Sequence, residues 1–233
     1  MPPVGRDMLP HAPEVIETRA LRSVRIRCSE AISPGVYVLS LPRGADFRPG
    51  QVVAVTVDRT IPPRLFSLCS GPRDPDWQIL FDVKPDGLLS PRLATLTAGD
   101  SLLVSDPFGT FAGDGEDDWW IAAGTGIAPF RAMLRAGQGR AGRLIHGSRT
   151  PERFFFQDAF HARLGDRYVR CCSGAAGTGL YHGRLTAWLR ETPLPSHPCL
   201  FCLCGSPEMV VEVRDILIAR GIAIASIRSE IYF

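Results

Sequence analysis

Lysine is nearly missing from this chain. All but one of its 26 basic residues are arginine, the exception being Lys84, and 24 acidic residues leave a net charge of +2. Without a basic excess there is nothing to grip a nucleic-acid backbone, so nucleic acid is excluded as the main partner. Long hydrophobic runs are missing too. No stretch approaches the roughly 18 to 20 uninterrupted apolar residues of a membrane span, so no membrane insertion is expected. The opening MPPVGRDMLPHAPE lacks the apolar centre of a secretory signal, and residues 1–13 are expected to be a Pro-rich disordered tail. Cysteine is present but unpatterned. Seven cysteines, an odd number at irregular spacing, make no disulfide framework and point to a reducing, cytoplasmic setting. Cys199, Cys202 and Cys204 come near a metal-like spacing in CLFCLCG. No second cysteine pair stands nearby to complete a tetrahedral site, so the run is read as a buried strand with no metal. No cysteine pattern of a ferredoxin-type cluster occurs either.

What is present suits a folded protein of 233 residues, 45% hydrophobic and 21% charged. That length allows one large domain or two small ones. From Glu14 to Ala112 the signals are those of strands. Val24, Ile26 and Cys28 alternate with Arg25 and Arg27, the period of a half-buried strand. GVYVLSL (35–41), QVVAVTV (51–57), LFSLCS (65–70), WQILFDVK (77–84) and SLLVSDP (101–107) follow, separated by Pro, Gly and Asp turns. Six short strands with one helical stretch, Leu89 to Leu96, predict a small antiparallel barrel over 14–112.

Beyond Gly113 strands and helices alternate. WWIAA (119–123), RLIHGS (143–148), YVRCC (168–172), CLFCLC (199–204) and IAIASI (222–227) read as strands. The predicted helices run over Ala128–Ala136, Pro151–Arg163, Arg184–Arg190 and Ser206–Arg220. Ser206 suits the cap of the last helix, Pro207 its first position and Gly221 its stop. Such alternation predicts an α/β domain over 113–233, a parallel sheet with helices on both faces.

Four motifs carry chemistry. Gly124-Thr125-Gly126 lies between a buried strand and a helix start, where free N–H groups and a positive dipole end suit a phosphate. It departs from the usual dinucleotide fingerprint, whose third glycine is here Pro129. Arg64-Leu65-Phe66-Ser67 is an anion contact or an exposed strand edge. GLLSPRL (87–93) sets Ser90 and Pro91 at a helix start, an anion nest or a capped helix. The chain ends Ser229-Glu230-Ile231-Tyr232-Phe233, two aromatics that need a neighbour's core or a flat ligand to lie on.

Taken in order, Arg64-Leu65-Phe66-Ser67, GLLSPRL, Gly99-Asp100, DPFGTF, GTGIAPFRAML, LCGSPEMV and a terminal EIYF resemble the ferredoxin/flavodoxin–NADP+ reductase family, especially its bacterial branch. The resemblance runs from about Glu14 to Phe233. It implies an FAD-binding antiparallel barrel followed by an α/β domain for NADP(H), the architecture the periodicity predicts independently. It also implies roles. Arg64 would pair with the FAD pyrophosphate, where a planar, permanent charge suits phosphate oxygens. Leu65 and Val83 would border the flavin site. Phe66, where the family usually has Tyr, would pack on one flavin face, and Ser67 would sit near the flavin N5. Gly87, Leu88, Leu89 and Ser90 would hold the pyrophosphate. Tyr232 would cover the other flavin face, and Phe233 would lie near the adenine. Ser67, Cys204, Glu230 and Tyr232 would form the catalytic group beside the nicotinamide. Gly124, Thr125, Gly126 and Gly205 would take the nucleotide, with Thr125 where flavin and nucleotide meet. Arg149, Ser173 and Arg184 match positions around the 2′-phosphate, but the arginine expected after Ser173 is Gly174.

The reaction so implied is electron transfer between NADP(H) and ferredoxin or flavodoxin through FAD, by a cytoplasmic enzyme expected to be a monomer. No side-chain nucleophile is needed; positioning the nicotinamide is the protein's part. Two other readings stand beside it. One is an NADH-dependent reductase component of an oxygenase, which without an iron–sulfur domain of its own would also need an external carrier. The other is a non-catalytic FAD relay subunit; such relatives carry a C-terminal cysteine cluster and lack the aromatic end, the reverse of this chain.

Overall fold

The computed structural model describes residues 20–113, 117–138 and 142–231. The expected tail, the start of the expected barrel at 14, and Tyr232 and Phe233 lie outside the described residues. Seven antiparallel strands come first: β1 (Arg22–Arg25), β2 (Cys28–Ser33), β3 (Val36–Pro42), β4 (Val52–Thr56), β5 (Arg64–Ser67), β6 (Asp76–Asp82) and β7 (Ser101–Val104). One short helix, α1 (Ser90–Ala94), lies between β6 and β7. The strands form two sheets, ordered β1-β7-β4-β5 and β2-β3-β6. A bridge between Leu68 and Ile79 and the bond from Arg27 N–H to the Ser40 carbonyl (2.8 Å) stitch the sheets together as a barrel.

The first predicted strand is two. Ile26 N–H bonds the Asp100 carbonyl and Arg27 N–H the Ser40 carbonyl, so the chain changes sheets at that step and Cys28 opens β2. Strand β3 shows why its sequence is almost uniformly apolar. Leu39 and Leu41 point into the barrel with Trp77 and Ile79, while Val36 and Val38 point outward with Leu80. A strand covered on both faces needs apolar residues on both. The outward set meets Trp120, Phe130 and Met133 of the second half, so the two halves share one continuous core.

That second half is a parallel sheet of β8 (Trp119–Ala123), β9 (Arg143–Ser148), β10 (Tyr168–Cys172), β11 (Tyr181–His182), β12 (Phe201–Gly205) and β13 (Ile227–Ile231), ordered β11-β10-β9-β8-β12-β13. Helices α2 (Ala128–Arg135) and α3 (Gln157–Leu164) cover the face turned to the barrel. Helices α4 (Leu185–Glu191) and α5 (Pro207–Ala219) cover the other. Helix α5 starts and stops as its sequence predicts. The Ser206 hydroxyl accepts from Met209 N–H, Pro207 is the first helical residue, and Gly221 turns at φ +88°.

Two predictions fail here. The helix expected over 151–163 is a short 3₁₀ turn (Pro151–Arg153), a break, and then α3. Phe154 and Phe155 are both buried, and Phe156 adopts φ 59°, so three consecutive aromatics are pulled to separate places and the helix cannot pass through them. The last strand is not IAIASI. Ile224–Ser226 is a 3₁₀ turn, and β13 begins at Ile227, in the more polar run IRSEI. Its pairing with β12 fixes it there: Phe201 stands opposite Ile227 and Cys204 opposite Glu230.

Candidate functional site

From β8 the chain winds outward through β9, β10 and β11, then returns to the other side through β12 and β13. The carboxyl ends of β8 and β12 therefore flank the point where the connections diverge, the crevice in which open α/β sheets bind ligands. Gly124 and Gly126 follow β8 there, and Gly205 ends β12. Gly124 turns at φ +55°. A Cβ on Gly126 would collide with the Cys204 carbonyl oxygen, so glycine lets the turn lie against β12. Residues Gly124–Ile127 form a 3₁₀ turn leading into α2, and no side chain caps either start. Their leading N–H groups are left for an anion. Thr125 is half-buried at this edge.

The barrel brings Ser67 to the same edge. Its hydroxyl, on the last residue of β5, donates to Glu230 Oε2 at 2.8 Å, and both residues are buried. Burial pushes the Glu230 carboxyl up to about 7, partly opposed by the Ser67 bond. Cys204 is fully buried and stands opposite Glu230 in the β12–β13 register. Ser67, Cys204 and Glu230 are thus brought together from three separate strands. Tyr232 follows this group by two residues, outside the described part.

Arg64 is exposed on β5, and Phe66 is half-buried with its ring edge toward Phe81 at 6.3 Å. Leu65 faces the opposite way, onto Val52, Ala54 and Phe108. Val83, half-buried, packs on the same barrel core as Phe66. The loop beyond it closes on itself: Gly87 N–H bonds the Lys84 carbonyl at 2.9 Å, and Ser90 Oγ accepts from Lys84 N–H at 2.9 Å. Ser90 therefore clasps its loop rather than capping α1, whose cap position is Leu89. Leu89 is buried, and Leu88 is 73% exposed, a large apolar side chain open to solvent.

Arg149, Ser173 and Arg184 gather at the far end of the sheet edge. Ser148, Cys172 and His182 stand side by side in register, and the three residues follow them in their loops. All three are exposed. Gly174 has a structural reason. Its N–H bonds the Arg149 carbonyl at 2.9 Å, and a Cβ would collide with that oxygen. Two groups escaped the sequence reading. Arg131 of α2 reaches across to Cys69 and Gln78 of the barrel, and its sign was a charge inside the apolar run PFRAML. His146 is a fully buried imidazole, marked by polarity within the apolar LIHG. Among the described residues no group of three or more His, Cys, Asp or Glu could hold a metal, and no helix is long and apolar enough to cross a membrane.

Residues 120–215 match the model of the oxidoreductase NAD-binding domain. The fold superposes on the crystal structure of a ferredoxin NADP+ reductase from Neisseria gonorrhoeae with bound FAD and NADP. That match has a TM-score of 0.83, covering 91% of this chain and 99% of that one at 23% identity. An antiparallel barrel joined to a parallel sheet that carries the oxidoreductase NAD-binding model is the two-part architecture this chain shares with that reductase. The chain is 28% identical to the flavodoxin/ferredoxin–NADP reductase of Escherichia coli over 194 residues, 72% of this chain and 77% of that protein. It is 29% identical to the toluate 1,2-dioxygenase electron transfer component of Pseudomonas putida over 231 residues, 92% of this chain and 68% of that protein. In sequence and in fold it is similar to the ferredoxin/flavodoxin–NADP+ reductases.

Proposed function

We propose that this chain carries electrons between NADP(H) and a one-electron carrier, ferredoxin or flavodoxin, through bound FAD. The observation that carries the reading is the Ser67–Glu230 hydrogen bond with Cys204 alongside, set where the Gly124–Gly126 turn meets the barrel. FAD, when bound, accepts an electron pair from the nicotinamide and releases electrons singly. The residues present fit both cofactors. Half-exposed Phe66 and exposed Leu88 offer apolar surface to a flat ligand, and Arg64 offers a fixed charge to its phosphates. The uncapped turn at Gly124–Gly126 fits a second pyrophosphate.

In this reading the chain binds, orients and manages protons. Ser67 and Cys204 set the nicotinamide ring, and Glu230, with a carboxyl balanced near neutrality, holds or passes a proton through Ser67. Arg149, Ser173 and Arg184 receive the 2′-phosphate. All seven cysteines are free thiols, which supports a cytoplasmic setting, and we read the enzyme as a monomer.

Gly174 favours a second reading, an NADH-dependent reductase component serving an oxygenase, because the backbone there admits no basic side chain. The likeness to the toluate dioxygenase component supports it equally. Anaerobic mixing of the purified protein with NADPH and with NADH, followed at the flavin band, decides between them. Bleaching by NADPH at concentrations where NADH is inert supports the first reading, and the reverse preference supports the second. A protein without flavin, or one bleached by neither donor, overturns both.

A further inference from the structure

The parallel sheet holds a buried polar side chain that the site so far leaves unused. His146 on β9 is fully shielded from solvent. It stands in register with Ala122 of β8, Ala122 with Cys204, and Cys204 with Glu230, so all four occupy one row on the same face. Its Nδ1 lies 3.0 Å from the Tyr168 hydroxyl, and Phe154 packs edge-on against the ring at 5.2 Å. Nε2 is buried beside the Gly124 backbone, in a contact too loose to count as a full hydrogen bond. Burial drives the imidazole down to about 3, although the neighbouring Gly124 backbone favours a proton on it, so the ring is neutral.

A neutral imidazole has one N–H, and its surroundings choose the nitrogen. The Tyr168 hydroxyl has His146 as its partner among the described residues. A proton on Nδ1 would leave the Tyr168 O–H stranded in the core, at the cost of an unpaired buried donor. With the hydroxyl donating to Nδ1, that cost disappears and the proton sits on Nε2. The Nε2–H then faces the Gly124 backbone in a loose contact, a bond only partly made. The turn above it has a left-handed glycine and no side-chain cap to hold its shape.

We propose that His146 is a positioning residue for nucleotide binding. Its Nε2–H closes onto the Gly124 carbonyl when a nucleotide pyrophosphate seats on the Gly124–Gly126 turn, fixing the turn's N–H groups toward the phosphate. The inference rests on the functional reading above. Its energetic logic is that a contact loosely made in the ligand-free turn tightens into a full hydrogen bond in the bound state, so pairing adds to affinity.

Nitrogen NMR of ¹⁵N-histidine-labelled holoprotein tests this in the wild-type chain, with the His146 signal assigned by its loss in His146→Gln. The expected result is an Nε2–H tautomer whose Nε2 signal shifts on saturation with NADP+. An Nδ1–H tautomer, or a signal unmoved at saturation, overturns the proposal. Variants supply the second arm. His146→Gln places an amide N–H near the Nε2 position and should keep the Kd for NADP+ within about twofold. His146→Leu combined with Tyr168→Phe fills the space without a donor or a stranded hydroxyl. It should weaken NADP+ binding about five- to tenfold, with the loss falling on KM rather than kcat. Equal Kd values in the wild type and this variant also overturn the proposal. A wild-type holoprotein that binds neither NADP+ nor NAD+ overturns the functional reading and this inference together, whereas binding with a silent His146 sinks this inference alone.

Discussion

The Ser67 hydroxyl donates to Glu230 Oε2 at 2.8 Å across 163 positions of sequence. The bond ties the last residue of a barrel strand to the last strand of the parallel sheet, in a place closed to solvent. A carboxyl so placed is strongly disfavoured as an anion, and one hydroxyl offsets little of that.

Glu230 should therefore make stability depend on pH. Its carboxyl titrates at the usual 4.5 when the chain is unfolded and at about 7 in the fold. Between these values the folded protein holds a proton that the unfolded chain has released. Stability accordingly falls as pH rises from about 4.5 to 7, by roughly 3 kcal/mol, and stays low above. Glu230→Gln keeps an acceptor for Ser67 without the charge. Thermal unfolding at stepped pH should show the wild type losing melting temperature from pH 5 to 8 and the variant staying flatter and ending higher. Parallel pH curves would remove Glu230 as the source.

Arg64 is exposed, so its removal should cost the fold less than about 0.5 kcal/mol. Loss of a charge-assisted bond to phosphate costs about 1.5 to 3 kcal/mol. Arg64→Ala should therefore keep its denaturation midpoint as apoprotein while FAD affinity falls at least about tenfold. Fluorescence titration with FAD measures this directly. Unchanged FAD affinity would place the phosphates elsewhere on the barrel.

The sequence was legible where the cause is local. The strand, glycine turn and helix around Gly124 are set by neighbours within a few residues, and so are the Ser206 cap and the Gly221 stop. The final strand was not, because Ile222 to Ser226 is more apolar than the strand itself, and only pairing with β12 selects IRSEI. Phe154 to Phe156 read as helix because each tolerates one, while the pull that separates them comes from distant partners. The meeting of Ser67, Cys204 and Glu230 came through family resemblance. Nothing in spacing alone links positions 67 and 230.

Arg149 and Arg184 test the donor. Both are exposed at the sheet edge, in loops that follow neighbouring strands. If they receive a 2′-phosphate, replacing either by Ala should raise the KM for NADPH about tenfold, equivalent to about 1.4 kcal/mol, and leave NADH almost unaffected. Steady-state kinetics with both donors gives the answer. Equal losses would mean that the arginines serve the shared pyrophosphate or the fold.

The last prediction concerns how the two halves are held, and it turns on burial rather than charge. Two arginines of α2 cross to the barrel. Arg135 makes the better ion pair, with two bonds of 2.8 and 2.7 Å to Asp74. It is nearly half exposed, and Asp74 keeps a Gly71 N–H at 2.7 Å if Arg135 is lost. Exposed pairs of this kind contribute about 0 to 1 kcal/mol. Among the described residues Arg131 makes no direct ion pair with a carboxylate, although its charge helps lower the Asp74 carboxyl. It donates to the Cys69 carbonyl at 3.0 Å and to Gln78 Oε1 at 2.8 Å, and its guanidinium lies 4.1 Å from the Phe156 ring. Cys69 is fully buried, so removing Arg131 takes away a donor where water cannot replace it. The stacking adds about 0.5 to 2 kcal/mol, and it falls on the ring of Phe156, whose own backbone is left-handed at φ 59°. Arg131→Met keeps the aliphatic stem and removes the head. It should destabilise the protein by about 2 to 3 kcal/mol, against less than about 1 kcal/mol for Arg135→Ala. Urea denaturation of the two variants side by side measures the order. If Arg135→Ala proves the more damaging, the surface ion pair holds the halves together and the buried contact is incidental.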